Sequence, residues 1–544
     1  MRNILVLVAS AYLAACNCGP ARQACTSKAD CPSGQICSTG FCVAGSSSDG
    51  GTGGNGGTGG FGGTGGGFGG AGGGGAGGGG VANLTPCVGL QCQQSDCANS
   101  HTGCTVQPCG GSTTVSGTVF EPAGLLPLYN VTVYVPNSAV QPFGVRGVCE
   151  ACGATVTGSP LTIALTDDKG QFTLNNVPVG ANIPLVIQIG RWRRQVTIPN
   201  VAACANTPVA TASTRMPRNK NEGDIPLMAI ASGGSDPFEC LLLKMGIDAS
   251  EFTVPSGSGR VHFFVENGLS FPNAPAGATL TSTAATLNPY DVTFLPCEGN
   301  ENRKSSTQLT NVENYVNTGG RLFVTHYGYV WTALAPAPFS STAQWHPDPN
   351  INNPPPDPVN VSINTTFAKG AAFSTWLQNN GAASGGTISL AQSRNDVGVV
   401  NPGSTAWMKG DGSGGSAYNW TPHMTFTMPF NPPNEPDGGP GPTCGRVVFS
   451  DFHVTTSALN PFSTTFPAAC KGGAYTPQEK ALVFMVFDLS SCVQDDSKPP
   501  MVCVGVGSAC NSGADCCSGL VCEDGNLNTC TAGGPGCNCQ VPIQ

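Results

Sequence analysis

Twenty-seven cysteines occur in 544 residues and bunch at the two ends of the chain. Nothing else in the sequence restricts its folding as strongly. Cysteines in this number persist as disulfides only in an oxidising compartment, so export from the cytoplasm is expected. Charged residues are 10% of the chain against about 25% in ordinary globular proteins, which favours β-structure, cross-links and linkers over salt-bridged helices. The net charge is −9. The one basic run, Arg191-Trp192-Arg193-Arg194, is too short to make a nucleic-acid face, and no nucleic-acid partner is expected.

The amino terminus agrees. Arg2 and the apolar run from Ile4 to Ala9 are too short to span a bilayer and fit an export signal over residues 1–15. Leu13-Ala14-Ala15-Cys16 resembles the bacterial lipobox. The resemblance implies cleavage before Cys16, acylation of its thiol, and anchoring in the cell envelope, at the outer membrane or cell surface. Each buried acyl methylene contributes about 0.8 kcal/mol, so more than one chain holds a protein durably. Acylation of Cys16 leaves an even number of cysteines to pair.

Residues 16–44 carry Cys25, Cys31, Cys37 and Cys42 among turn residues, too few residues for a core, so disulfides are expected to hold the module. Residues 45–80 are nearly all glycine and are expected to form a tether spanning about 30 Å. Residues 81–111 hold a second group, Cys87, Cys92, Cys97, Cys104 and Cys109. Over 112–216 apolar residues alternate: Val115 and Val119; Val131, Val133 and Val135; Phe172 and Leu174; Leu185, Ile187 and Ile189. That period predicts an antiparallel β-sandwich. Ser116-Gly117-Thr118-Val119, the run Thr166 to Leu174 and Val177-Pro178-Val179-Gly180 resemble the carboxypeptidase regulatory-like domain, which implies a prealbumin-like sandwich with a structural or adhesive role. Asp167 and Asp168 are read as turn residues rather than calcium ligands.

Residues 222–494 alternate short apolar runs (225–230, 261–265, 292–295, 322–325, 447–449) with helical patterns (238–245, 309–316, 478–489). This predicts an α/β domain with a mainly parallel sheet, flavodoxin-like. Ligands on such sheets sit at the carboxyl ends of the strands, so Ser232, Glu298, His326 and His453 are the expected lining. Proline-rich runs at 335–358 and 429–442 are expected as long loops over that edge. Residues 315–328 and 447–455 resemble the nucleophile elbow and the histidine strand of class I glutamine amidotransferase-like proteins. The chain departs from that pattern at the decisive places. Thr325, His326 and Tyr327 occupy the elbow where a cysteine is needed, and Val454 and Thr455 replace the orienting glutamate. Amide hydrolysis therefore lacks its nucleophile. His326, His453 and Glu298 are the candidate catalytic residues that remain. No H-E-x-x-H cluster occurs, so neither metal nor cofactor is assigned. Cys297 is expected in a disulfide.

Residues 501–544 form a cysteine-rich tail. Cys503, Cys510, Cys516, Cys517, Cys522 and Cys530 resemble the knottin framework, which implies bonds first to fourth, second to fifth and third to sixth, with Cys537 and Cys539 as an extra clip. As a whole the chain resembles the cell-surface lipoproteins of myxobacteria. The expected function is a membrane-anchored surface protein that binds a glycan or protein. A hydrolase at the His326/His453 edge and a structural envelope component are the alternatives. Carboxylates gathered with the histidines would favour the hydrolase. An aromatic groove built from Trp331, Trp345, Trp407 and Trp420 would favour the glycan binder.

Overall fold

The computed structural model describes residues 84–500 except 109, 147–155, 351, 413–418, 433–442, 455–458 and 460–462, together with two strands in 35–44 and parts of 510–540. The signal segment, Cys16, Cys25, Cys31, the glycine tether, Cys109, Cys503 and Cys517 lie outside the described residues. The chain divides into two units, residues 1–79 and 80–544. In the first, strands Gln35–Ser38 and Phe41–Ala44 pair antiparallel with Cys37 opposite Cys42.

The second unit begins with the bonds Cys87–Cys92 and Cys97–Cys104. Two small sheets follow, one of Trp192–Val201, Gly180–Ile189, Thr132–Pro136 and Pro160–Leu165 in that order, the other of Asn206–Pro208, Thr114–Thr118 and Gln171–Asn175. The alternating residues foreseen as inward, among them Val115, Leu174, Val133, Leu185 and Ile187, are buried in one shared hydrophobic cluster. Asp167 Oδ1 accepts from the backbone N–H groups of Lys169 and Gln171 at 2.9 and 2.8 Å, so it serves the turn before Gln171–Asn175.

The large sheet has eleven strands. Phe252–Thr253, Val261–Val265, Met228–Ser232, Val292–Leu295, Arg321–Thr325 and Gly445–Ser450 lie side by side and parallel. Beyond Gly445–Ser450 the pairing turns antiparallel through Trp420–Met428, Ser404–Gly410, Val359–Ile363, Thr387–Leu390 and Ala383–Ser384. The sheet is mixed, not mainly parallel. The span around the two proline-rich runs supplies a second wing rather than loops alone. In the parallel half both faces are buried: Ile230, Phe294, Phe323 and Val448 face one cluster, Ala229, Leu295, Leu322 and Phe449 the other. Double burial explains why these strands are continuous apolar runs.

Helix Pro477–Ser490 begins with a capping box. Thr476 Oγ1 accepts from the Glu479 N–H, the Glu479 carboxylate accepts from the Thr476 N–H, and Pro477 occupies the first turn. Such a cap is worth about 1 kcal/mol. The helix is apolar on nearly all sides because it lies between layers. Phe484 stacks on Tyr129 at 5.9 Å and Phe487 meets Trp192 at 5.4 Å, while Phe484 also packs on Phe373. Its Asp488 joins a closed ionic ring. Lys369 Nζ lies 3.0 Å from Asp488 and 3.1 Å from Asp496, and Arg446 Nη2 lies 3.0 Å from Asp488 and 2.8 Å from Asp496. All four side chains are buried.

Cys240 and Cys470 are bonded across 230 residues of sequence. In the tail the bonds run Cys510–Cys522, Cys516–Cys539 and Cys530–Cys537. The first is the second-to-fifth bond of the knottin pattern. The other two depart from it, since Cys537 and Cys539 are partners of framework cysteines and not a separate clip. No helix among the described residues is long and apolar enough to cross a membrane.

Candidate functional site

Four adjacent parallel strands deliver one side chain each, from just beyond their carboxyl ends, to a single buried place. Met228–Ser232 leads to Asp236, Val292–Leu295 to Cys297, Arg321–Thr325 to His326 and Gly445–Ser450 to His453. The chain passes from Met228–Ser232 to a neighbour on one side, then to Val292–Leu295 on the other. Asp236 and Cys297 therefore flank the switch point of strand order, where open α/β sheets bind ligands.

His326 sits where the resemblance put the elbow, between its strand and a short 3-10 helix over His326–Trp331, with φ +35°. A non-glycine residue in that region stores on the order of 1–3 kcal/mol and is held there by its surroundings. A tight turn between a strand and a short helix is thus present, with an imidazole at its apex. The thiol is one strand away. Cys297 Sγ lies 3.4 Å from His326 Nδ1, and the Cys297 N–H donates to Thr325 Oγ1 at 2.9 Å. Cys297 is free, which corrects the expected disulfide.

Glu298 does not join the histidines. Its carboxylate bonds Lys304, accepts from Asn302 at 2.7 Å and from Asn267 at 2.9 Å, and leaves the position beside the two imidazoles to Cys297. Ser232 is buried as well and accepts weakly from the Glu266 N–H at 3.3 Å. The orienting carboxylate missing from 454 and 455 arrives from elsewhere. Asp236 Oδ1 approaches His453 Nδ1 at 3.1 Å and accepts from the Val454 N–H at 2.6 Å, while Asp236 Oδ2 accepts from Thr325 Oγ1. Behind His326, Asp396 Oδ2 stands 3.6 Å from Nε2, and the Asp396 N–H donates to Asp451 Oδ2 at 2.6 Å. The two imidazoles meet edge to face at 4.9 Å.

Burial governs the charges here. It pushes the Cys297 thiol up to about 12, aided by the Asp236 charge, and holds His326 well below its usual range, aided by His453 and Arg394. Asp396 rises to about 6 through burial, and Asp451 rises well above the carboxylate range through burial and then through Asp396. A neutral thiol beside a neutral imidazole is a poor nucleophile pair. Of the tryptophans, Trp331, Trp407 and Trp420 are buried, and Trp345 packs on Phe449. They form no exposed aromatic groove.

A second feature lies on the antiparallel wing. A cavity of about 650 Å³ is lined by Asn360, Ser362, Thr387, Lys409 and Asn419, with Val399 at 57% exposure; the buried Trp420, whose Nε1 has no hydrogen-bond partner, belongs to the same lining.

No protein-family model matches the chain, and no curated protein is significantly similar to it. Two solved structures, both mutants of a type II cohesin–X-dockerin complex from Acetivibrio cellulolyticus, are similar over a part of it. The N-terminal interface mutant is 18% identical over 25% of this chain and 85% of that one, with a TM-score of 0.15. The C-terminal interface mutant is 19% identical over 27% and 79%, with a TM-score of 0.12. A likeness of that size assigns the chain to no family.

Proposed function

We propose that the chain is an exported surface protein, lipid-anchored through Cys16, that binds a polar ligand and is inert as an amidotransferase. The lipobox resemblance, the glycine tether and the disulfides support display outside the cytoplasm. The two small sheets sharing one core support reading residues 112–216 as a regulatory-like sandwich. The observation that carries the binding reading is the cavity of about 650 Å³ on the antiparallel wing. Its amides, hydroxyls, the Lys409 ammonium and the Asp411 carboxylate match a glycan or polar peptide. Titration of the tag-free mature chain with soluble oligosaccharides and with polar peptides tests this and separates the two ligand classes. Paired Asn360→Ala and Lys409→Ala changes are expected to weaken binding at least tenfold. Binding no tighter than about 1 mM in both panels, or binding indifferent to those changes, refutes the reading.

One observation favours a second reading, a hydrolase at the strand edge. Three carboxylates, Asp236, Asp396 and Asp451, gather there with His326 and His453. Ester or amide hydrolysis abolished by His453→Ala would support it.

A further inference from the structure

Cys297, His326 and His453 are three metal-ligating side chains from three neighbouring strand ends. One donor atom of each lies within 4.8 Å of the other two. They are 0%, 2% and 4% exposed. We propose that they bind one divalent transition-metal ion, zinc(II) by ligand type, at the switch point of the sheet.

Distance supports this first. With Zn–S near 2.3 Å and Zn–N near 2.0–2.1 Å, a tetrahedral centre places its sulfur and nitrogen ligands about 3.6 Å apart. Cys297 Sγ and His326 Nδ1 are 3.4 Å apart. The third ligand lies no more than 4.8 Å from the other two, so it has at most about 1.5 Å to close to reach tetrahedral separations.

The surroundings support it independently. Metal-bound histidines carry a carboxylate or carbonyl on the ring nitrogen turned away from the metal, which fixes the tautomer and the ring plane. Here Asp396 stands behind His326 Nε2 and Asp236 beside His453 Nδ1, which leaves each imidazole its other nitrogen for the ion. The Asp396 contact lies on the far side of the His326 ring from Cys297, whose Sγ faces His326 Nδ1. A dication held by one thiolate leaves a positive charge that the surrounding carboxylates offset.

Two other cysteine groups lie as close together, Cys87 with Cys97 and Cys104, and Cys510 with Cys516 and Cys539. Their sulfurs are consumed in disulfides, so they offer no thiolate. Three protein ligands leave a fourth position for water or a small ligand, the pattern of zinc sites that do chemistry. The site is separate from the cavity on the antiparallel wing, so failure of the binding reading leaves it untouched.

The test uses the tag-free mature chain, first stripped with chelator and then titrated with Zn(II) and, separately, Co(II). The expected result is one tight equivalent of zinc by elemental analysis, and with cobalt a thiolate-to-metal absorption band in the near ultraviolet. Cys297→Ser is expected to abolish the band, and Cys297→Ser and His453→Gln each to lower retained zinc at least tenfold. Because the wild-type cobalt spectrum reports the thiolate directly, the outcome does not rest on the variants folding. Failure of the wild-type chain to retain an equivalent of zinc, or cobalt binding without a thiolate band, overturns the proposal and leaves a plain thiol–imidazole contact.

Discussion

Replacing Arg446 with methionine opens the buried ring it forms with Lys369, Asp488 and Asp496. In the intact ring two cations face two carboxylates, every pair at 2.8–3.1 Å. Burial alone would lower the Arg446 pKa, yet Asp496 and Asp488 hold it raised. Arg446→Met keeps most of the volume but leaves two buried carboxylates to a single ammonium. An uncompensated buried charge costs about 3–5 kcal/mol. The unfolding entropy grows with chain length, so for a unit of this size 1 kcal/mol moves the melting temperature by about 1 °C, and a fall of roughly 3–5 °C is expected. The second arm decides the cause. Arg446→Met with Asp496→Asn restores one cation to one anion and should recover at least about 2 kcal/mol of the loss, a coupling that lost packing alone would not produce. Calorimetry of the full chain at neutral pH, with disulfides intact, reads both. A single variant within about 1 kcal/mol of wild type, or a double variant no better than the single, refutes the argument.

Glu239 is fully buried, and burial, then the Asp236 charge, raises it to about 8. The folded chain therefore keeps a proton that the unfolded chain releases above about pH 4.5, so this group's contribution falls as pH rises toward 8. Glu239→Gln should flatten that decline and stabilise the protein by a few kcal/mol at pH 8.5, measured by denaturant unfolding. Burial lowers His423 to about 3. The unfolded chain binds a proton below about pH 6.5 that the folded chain refuses, so stability should fall as pH drops from 6.5 toward 3, and less so in a His423→Gln variant. Glutamine should not be hydrolysed; ammonia release lost in His453→Ala would contradict this. Cys16→Ser should move the protein from membrane to soluble fraction, and unchanged partition would contradict the lipid anchor.

Legibility in the sequence followed the physics of each element. Val261–Val265 and Val292–Leu295 were foreseen to the residue, because a strand buried on both faces must be an unbroken apolar run. Val359–Ile363 and Thr387–Leu390 were missed: they bury alternate residues only and sit among prolines and asparagines, where a short alternation is weak. His326 and His453 were placed at the correct edge because strand ends are predictable. Their partners were not, because a strand end says nothing about which way neighbouring residues turn. Glu298 turned to Lys304 and its neighbour Cys297 turned to His326. Asp236 was invisible for another reason: it meets Val454 across 218 positions of sequence, a contact no local pattern announces. Cysteine content predicted disulfides but not their pairing, in the tail or at Cys297.

The Cys240–Cys470 bond turns most of the eleven-stranded sheet into one covalent circuit. A protease that cuts the backbone once anywhere between these two residues leaves both pieces attached. A nicked molecule would then run as one band on a non-reducing gel and as two after reduction. Under the proposed display outside the cell, one cut in the proline-rich run at 429–442 would not release a fragment, and losing any part of the circuit would require a second cut or a reductant.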